Sequence, residues 1–187
     1  MNSHRPSLPT KFAVGQELPP LSVVMTAKRI IMGAAASRDW QPQHHDYRYS
    51  VEQARLRDII LNTPTQTGWL SHYITDWSGP EGRMARLRLR MKIPICPGDV
   101  MQIRGIVEAV ESAPAGWWWA RLRLEIRVAE QVNSEGSAIV GLPGEGRVRP
   151  WQARGKEWCP PDWDLRSSSP RLPATGSAGQ LGLGYEQ

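Results

Sequence analysis

From Arg83 onward the side chains alternate with a period of two, and this constrains the fold more than any other feature. Ala85, Leu87, Leu89, Met91 and Ile93 interleave with Arg86, Arg88, Arg90 and Lys92, the pattern of a strand with one face in a core and one in water. Pro97-Gly98-Asp99 reads as a turn and residues 100–110 as a second strand. Ala113-Pro114-Ala115-Gly116 turns into a third, where Leu122, Leu124, Ile126 and Val128 alternate with Arg121, Arg123, Glu125 and Arg127. A turn at 133–136 leads to a short last strand at 137–142. Consecutive strands joined by short turns pair antiparallel, and their apolar face needs a cover.

The segment just upstream supplies that cover. Over residues 63–77, Trp69, Tyr73 and Trp77 recur every four residues with Leu70 and Ile74 beside them, a wide apolar helical face that predicts a deeply buried helix. Thr63 is the expected cap and Pro64 suits the first helical position, where no amide proton is needed. Gly68 costs about 1 kcal/mol relative to alanine inside a helix, so it needs a reason: close packing, or the approach of a ligand. One long helix followed by an antiparallel sheet gives an α+β fold.

Before this helix, residues 14–20 read as a turn into a short strand at 21–25. Thr26 caps a helix through Ile30, Ile31, Ala34 and Ala35. Residues 47–57 carry helical spacing on a polar surface, and 58–62 form a brief extended piece entering the core. Residues 1–10 are expected to be a flexible terminus. Residues 144–187 are rich in Gly, Pro and Ser without periodicity, as in a disordered or surface-draped tail. Trp151, Trp158 and Trp163 within it mark a segment that docks on its own domain or on a partner.

The chemistry-bearing stretch is Ser37-Arg38-Asp39-Trp40-Gln41-Pro42-Gln43-His44-His45-Asp46. Pro42 forbids a continuous helix, so the segment bends, and a bend brings Asp39 and His44 onto one small space. A carboxylate and an imidazole converging there hold a water and move its protons. The residues alone also admit an Asp capping a turn beside two surface histidines.

Composition removes other classes. With 40% hydrophobic residues in 187, the chain has room for one domain with a real core. No apolar run approaches the length of a membrane span. Residues 1–9 are polar and lack the apolar stretch of a secretory signal, which points to the cytoplasm. Cys96 and Cys159 are far apart and have no metal-ligand spacing, so they read as reduced and structural. There is no P-loop, dinucleotide fingerprint, zinc pattern or nucleophile elbow. The net charge of +5 admits an anionic partner, an acyl-CoA as well as a nucleic acid. Alternating Arg86, Arg88 and Arg90 read as a solvated face. Trp117, Trp118 and Trp119 cannot share one face of a strand, and are assigned to a core or a subunit contact.

A bent Asp/His loop, then a glycine-bearing helix, then an antiparallel sheet resembles the hotdog fold and, within it, the MaoC-like enoyl-CoA hydratases. Asp39-Trp40-Gln41-Pro42-Gln43-His44 matches that family's motif at the Asp, Pro and His. It departs at Arg38, where the family usually has Gly, and at Gln41, where it has Asn. The longer pattern, through His45-Asp46, Asp58-Ile59, Thr67-Gly68 and the run from Tyr73 to Pro80, is similar to the small catalytic subunits of actinobacterial steroid side-chain enoyl-CoA hydratases. The resemblance covers about residues 11–143, the hotdog domain, and leaves out the tail.

The resemblance implies addition of water to a trans-2-enoyl-CoA, with a steroid side-chain acyl-CoA as candidate substrate. Asp39 and His44 would activate the water, the backbone at Gly68 would form the oxyanion hole, and Pro42, His45 and Asp46 would support the loop. His72 is assigned a structural place. No metal and no cofactor beyond the substrate's coenzyme A is implied. The partner would be a second MaoC-like hotdog subunit in a heteromer, or a second copy in a homodimer, with Trp117, Trp118 and Trp119 exposed for the contact. No nucleic-acid or membrane partner is expected. The alternatives are a non-catalytic hotdog partner subunit and an acyl-CoA thioesterase.

Overall fold

The computed structural model describes residues 12–144 and 148–166; the expected flexible terminus 1–10 and the end of the tail lie outside the described residues. Five antiparallel strands, β1 (Glu17–Val24), β2 (Arg83–Met91), β3 (Val100–Ser112), β4 (Trp118–Val128) and β5 (Gln131–Leu142), form one sheet in the order β1-β3-β4-β5-β2. Helix α1 (Ala27–Ala36) follows β1, and the long helix α2 (Thr63–Ser78) precedes β2. Leu70, Tyr73 and Ile74 of α2 pack against Ile103 and Val107 of β3, Leu122 and Leu124 of β4, and Val140 of β5 in a single core. This is the α+β arrangement that the sequence implies, one helix held in the curve of an antiparallel sheet.

Close approach of helix and sheet depends on glycine at two points. A Cβ on Gly105 of β3 would meet Leu124 at 2.9 Å and Tyr73 at 3.3 Å, and one on Gly136 of β5 would meet the Arg88 carbonyl at 3.1 Å and Leu70 at 3.4 Å. Bare backbone there lets Leu70 and Tyr73 seat on the sheet. Full burial of a leucine contributes about 1.5–3 kcal/mol relative to exposure.

Several local expectations are corrected. The first strand is not 21–25 but begins at Glu17, passing through Pro19 and Pro20. Those prolines lack a donor, but β1 is an edge strand and its register slips between Leu18 and Leu21, the bulged edge position where proline is tolerated. The turn expected at 133–136 lies inside β5. The chain reverses instead at Ala129 and Glu130, with Ala129 at φ 50°. Asn133, the residue that imitated a turn, is buried and its side chain accepts from Val128 N–H at 2.9 Å. The cap of α2 is Asn62 rather than Thr63. Only one face of α2 is buried, since Gly68, His72, Thr75 and Asp76 are exposed. In 47–57 the helical spacing yields a single π-helical turn, Tyr49–Gln53, and Arg55 at φ 57° ends it.

The tryptophans expected to be exposed are covered. Trp117 and Trp119 pack with Ile139 and Ala153 in a second apolar cluster on the outer face of the sheet, and Val148, Trp158, Trp163 and Leu165 of the C-terminal segment close over it. Trp158 stacks on Trp117 at 5.4 Å, and the Arg83 guanidinium lies 3.9 Å from the Trp158 ring. Arg83 also donates to the carbonyls of Pro150 and Ala153, Trp151 Nε1 donates to Gly82 O, and Ser137 Oγ donates to Leu165 O. Trp118 points the other way, into the main core, as strand alternation requires. Cys96 is buried and Cys159 exposed, both as free thiols. No helix among the described residues is long and apolar enough to cross a membrane.

Candidate active site

Thr26 starts the segment that builds the site. Its hydroxyl accepts from Arg29 N–H at 3.2 Å, capping α1, which buries Ile30 and Ala34 and ends at Ser37. Arg38 then takes φ 54°, a left-handed turn that costs an L-residue roughly 1–2 kcal/mol. That turn sends Asp39 back over the end of α1, where its N–H donates to Ala34 O at 2.9 Å. Pro42–His44 forms one 3-10 turn; Pro42 opens it, and its carbonyl accepts from the amides of His45 and Asp46. The bend expected from Pro42 is therefore present, and it brings the two ends together: His44 Nε2 lies 3.3 Å from Asp39 Oδ2.

The imidazole is held from behind. His44 Nδ1 sits 2.7 Å from the carbonyl of Ile60; a carbonyl only accepts, so Nδ1 carries the proton and donates it. In the neutral ring this leaves Nε2 as an acceptor facing the carboxylate. Two acceptors converging on one space hold a water by both of its protons. His44 is buried and the Asp39 side chain retains 23% exposure, so the pair sits at the wall of the protein with Asp39 toward the opening.

Asn62 is the residue that the sequence reading passed over. It is 1% exposed; its Nδ2 donates to Asp39 Oδ2 at 3.0 Å and to Ser37 Oγ at 2.8 Å, while its Oδ1 accepts from Thr65 N–H at 3.2 Å. One side chain thus caps α2 and fixes the carboxylate. An Asn followed by Thr-Pro was the available signal, since Asn is among the strongest caps and proline suits the first turn.

The supporting residues have unequal parts. Asp46 accepts from Tyr49 N–H at 3.0 Å and its carbonyl takes the Ser50 hydroxyl, which closes the loop. His45 is exposed and reaches Trp40 O only at 3.4 Å. Gly68 is the sixth residue of α2, beyond the four amides a helix leaves without an intrahelical acceptor. What Gly68 supplies is an open surface: nothing lies within 4 Å of where its Cβ would be. It lies on a cleft of about 620 Å³ between α1 and α2, lined by Gly33, Ala36 and Ser37 from one side and Pro64, Thr65, Gly68, Trp69 and His72 from the other. Gly33 permits this pairing of helices, since a Cβ there would lie 2.4 Å from Thr65 Oγ1. Asp39 and His44 do not line the cleft directly. Ser37 does, one hydrogen bond from the Asn62 amide that holds Asp39. Among the described residues no group of three His, Cys, Asp or Glu side chains could hold a metal ion.

Comparison with known proteins relates the sequence and the fold to a lineage. No family model matches the chain. It is 37% identical over 97 residues to the 3-oxo-4,17-pregnadiene-20-carboxyl-CoA hydratase beta subunit of Mycobacterium tuberculosis, a match covering 52% of this chain and 74% of that protein. The chain belongs to the MaoC-like hydratase family. Among solved structures of MaoC-like and related proteins, the ChsH1-ChsH2 complex from Mycobacterium tuberculosis superposes with a TM-score of 0.64 at 28% identity, over 70% of this chain and 98% of that one. The (R)-hydratase from A. caviae involved in PHA biosynthesis superposes with a TM-score of 0.64 at 23% identity, over 72% and 100%, and shows the shared fold. In this MaoC-like chain, Arg38 occupies the left-handed position where the family motif usually has glycine.

Proposed function

We propose that this chain is an enoyl-CoA hydratase subunit that adds water to a trans-2-enoyl-CoA, with Asp39 and His44 as the water-handling pair. The observation that carries the reading is the 3.3 Å approach of His44 Nε2 to Asp39 Oδ2, with the far side of the ring fixed on Ile60 O. Water held by both acceptors turns its lone pairs outward, toward the β-carbon of a bound thioester. Asp39 takes one water proton as the C–O bond forms and passes it through His44 Nε2 to the α-carbon, while the other water proton stays on the new hydroxyl. Charge passes meanwhile to the thioester oxygen. That oxygen lies against α2 at Gly68, where the missing side chain leaves the amide approachable and the N–H is shared between the helix and the ligand. A donor aimed at that oxygen in a water-excluded site stabilises the charge that develops on the enolate. Addition of water changes no oxidation state overall, so the reading assigns no cofactor beyond the coenzyme A of the substrate.

The name of the Mycobacterium tuberculosis relative supports a steroid side-chain acyl-CoA as substrate, and the paired ChsH1-ChsH2 structure supports a second hotdog subunit as partner. Because the outer tryptophans are covered, the proposed contact surface is the exposed apolar strip of Ile31 and Met32 on α1 with Trp40 and Tyr47 on the loop. The test uses the chain co-expressed with the open reading frames beside it. Loss of the conjugated enoyl-thioester absorbance without release of free thiol is the expected result. Release of coenzyme A from a saturated acyl-CoA would instead make the chain a thioesterase.

A further inference from the structure

We infer that His72 is a specificity-determining residue, reading a hydrogen-bonding oxygen at the end of the acyl group remote from the thioester; the inference rests on the hydratase reading above. The cleft between α1 and α2 is walled by Gly33, Ala36, Pro64, Gly68 and Trp69, with Ser37 and Thr65 at its Asp39 end. At its other end the lining side chains with hydrogen-bonding groups are Trp69, whose indole N–H only donates, and His72, whose imidazole can also accept. Its ring stands edge-on to Trp69 at 6.0 Å, and its Nε2 lies 3.3 Å from Asp76 Oδ2 one turn further along α2. A carboxylate accepts, so Nε2 carries a proton toward Asp76 and the second nitrogen, Nδ1, stays uncommitted.

The spacing fits a long apolar body rather than a short chain. From Pro64 to His72 the helix rises about 12 Å, and from the Asn62 cap that holds Asp39 to His72 about 15 Å. An acyl group whose reactive carbons sit beside Asp39 and which follows the bare strip at Gly68 reaches His72 only if it is long and apolar through its middle. At that end a polar oxygen finds the one imidazole on the wall. A hydroxyl would donate to Nδ1 of the neutral ring, whereas an oxo group would accept from Nδ1 of the doubly protonated ring, since Nε2 keeps its proton toward Asp76. The two bonds run in opposite directions, and both place the remote oxygen on Nδ1.

The test uses three trans-2-enoyl-CoA thioesters of equal length, identical except for a methyl, hydroxyl or oxo group at the far end. Dissociation constants and hydration rates are measured on the full chain in the assembly it forms in cells. One hydrogen bond of ordinary net strength corresponds to about a five- to tenfold preference. The expected result is that preference for the hydroxyl or the oxo compound over the methyl one, expressed in Kd and KM and not in kcat. His72→Leu should reduce the ratio to about one, and His72→Gln, which keeps a donor and an acceptor, should restore part of it. Equal binding of all three by the wild type, or a preference that survives His72→Leu, overturns the inference while leaving hydration intact. A His72-dependent preference in Kd with no turnover of any compound would instead sink the hydratase reading and keep the inference.

Discussion

Replacing Asn62 by serine separates the two tasks this buried side chain performs. Serine caps a helix about as well as asparagine, so the bond from Thr65 N–H is kept, but its hydroxyl is too short to reach Asp39 or Ser37. Two bonds are lost, to the carboxylate at 3.0 Å and to the hydroxyl at 2.8 Å. A hydrogen bond to a charged group is worth about 1.5–3 kcal/mol net and a neutral one about 0.5–1.5. With partial compensation by water at Asp39, the expected loss for Asn62→Ser is about 2–3 kcal/mol in denaturant unfolding. Asn62→Ala, which also removes the cap, should lose about 1 kcal/mol more. In an Asp39→Ala background the serine substitution should cost only about 1 kcal/mol, because contacting residues couple. The hydration rate should fall with Asn62→Ser by about 10- to 100-fold, as a misplaced carboxylate no longer meets the water. A serine variant within about 0.5 kcal/mol of wild type, or a cost unchanged by Asp39→Ala, would refute the reasoning.

Gly33→Ala puts a methyl 2.4 Å from Thr65 Oγ1 and 2.9 Å from its Cγ2, a clash no rotamer of a β-branched side chain relieves. About 1–3 kcal/mol should be lost in thermal unfolding, and adding Thr65→Ala should recover most of it. Arg38→Gly frees the φ 54° turn and should stabilise by about 0.5–1 kcal/mol, the left-handed penalty less the entropy glycine gains when unfolded, read as a higher midpoint in urea. Trp158→Ala uncovers Trp117, Trp119 and Ile139 on the outer sheet face. It should cost about 2–4 kcal/mol, with a fluorescence change as the stacked ring on Trp117 is lost.

The parts legible in the sequence were those set by period and by proline. Alternation gave the strands from Arg83 on, and Pro42 gave the bend that joins Asp39 to His44, because both act through local geometry. The misreadings arose where tertiary context outweighed a local signal. Pro19 and Pro20 looked like a turn, yet an edge strand with a bulge accommodates them. The Asn133-Ser134-Glu135-Gly136 run looked like a turn, yet Asn133 serves a neighbouring strand, Ser134 bonds Gln66 of α2 at 2.7 Å, and Gly136 makes room for Leu70. Trp117 and Trp119 admitted a core or a subunit contact, and the tail tryptophans admitted docking on their own domain or on a partner; local signals do not choose, and the fold seats Trp158 on Trp117. Asn62 escaped notice for the same reason: its bond to Asp39 spans 23 positions, and only the fold brings the two together.

The central claim is that the Asp39 carboxylate removes a proton from water during addition to an enoyl thioester. Asp39→Asn keeps the size of the side chain and an oxygen for Asn62 while removing the base. With the assembled protein and a trans-2-enoyl-CoA, the account predicts that kcat falls by about 10²–10⁴, the usual worth of a positioned general base, while the folded protein still binds the thioester. Hydration by this variant within about twofold of the wild-type rate would contradict it.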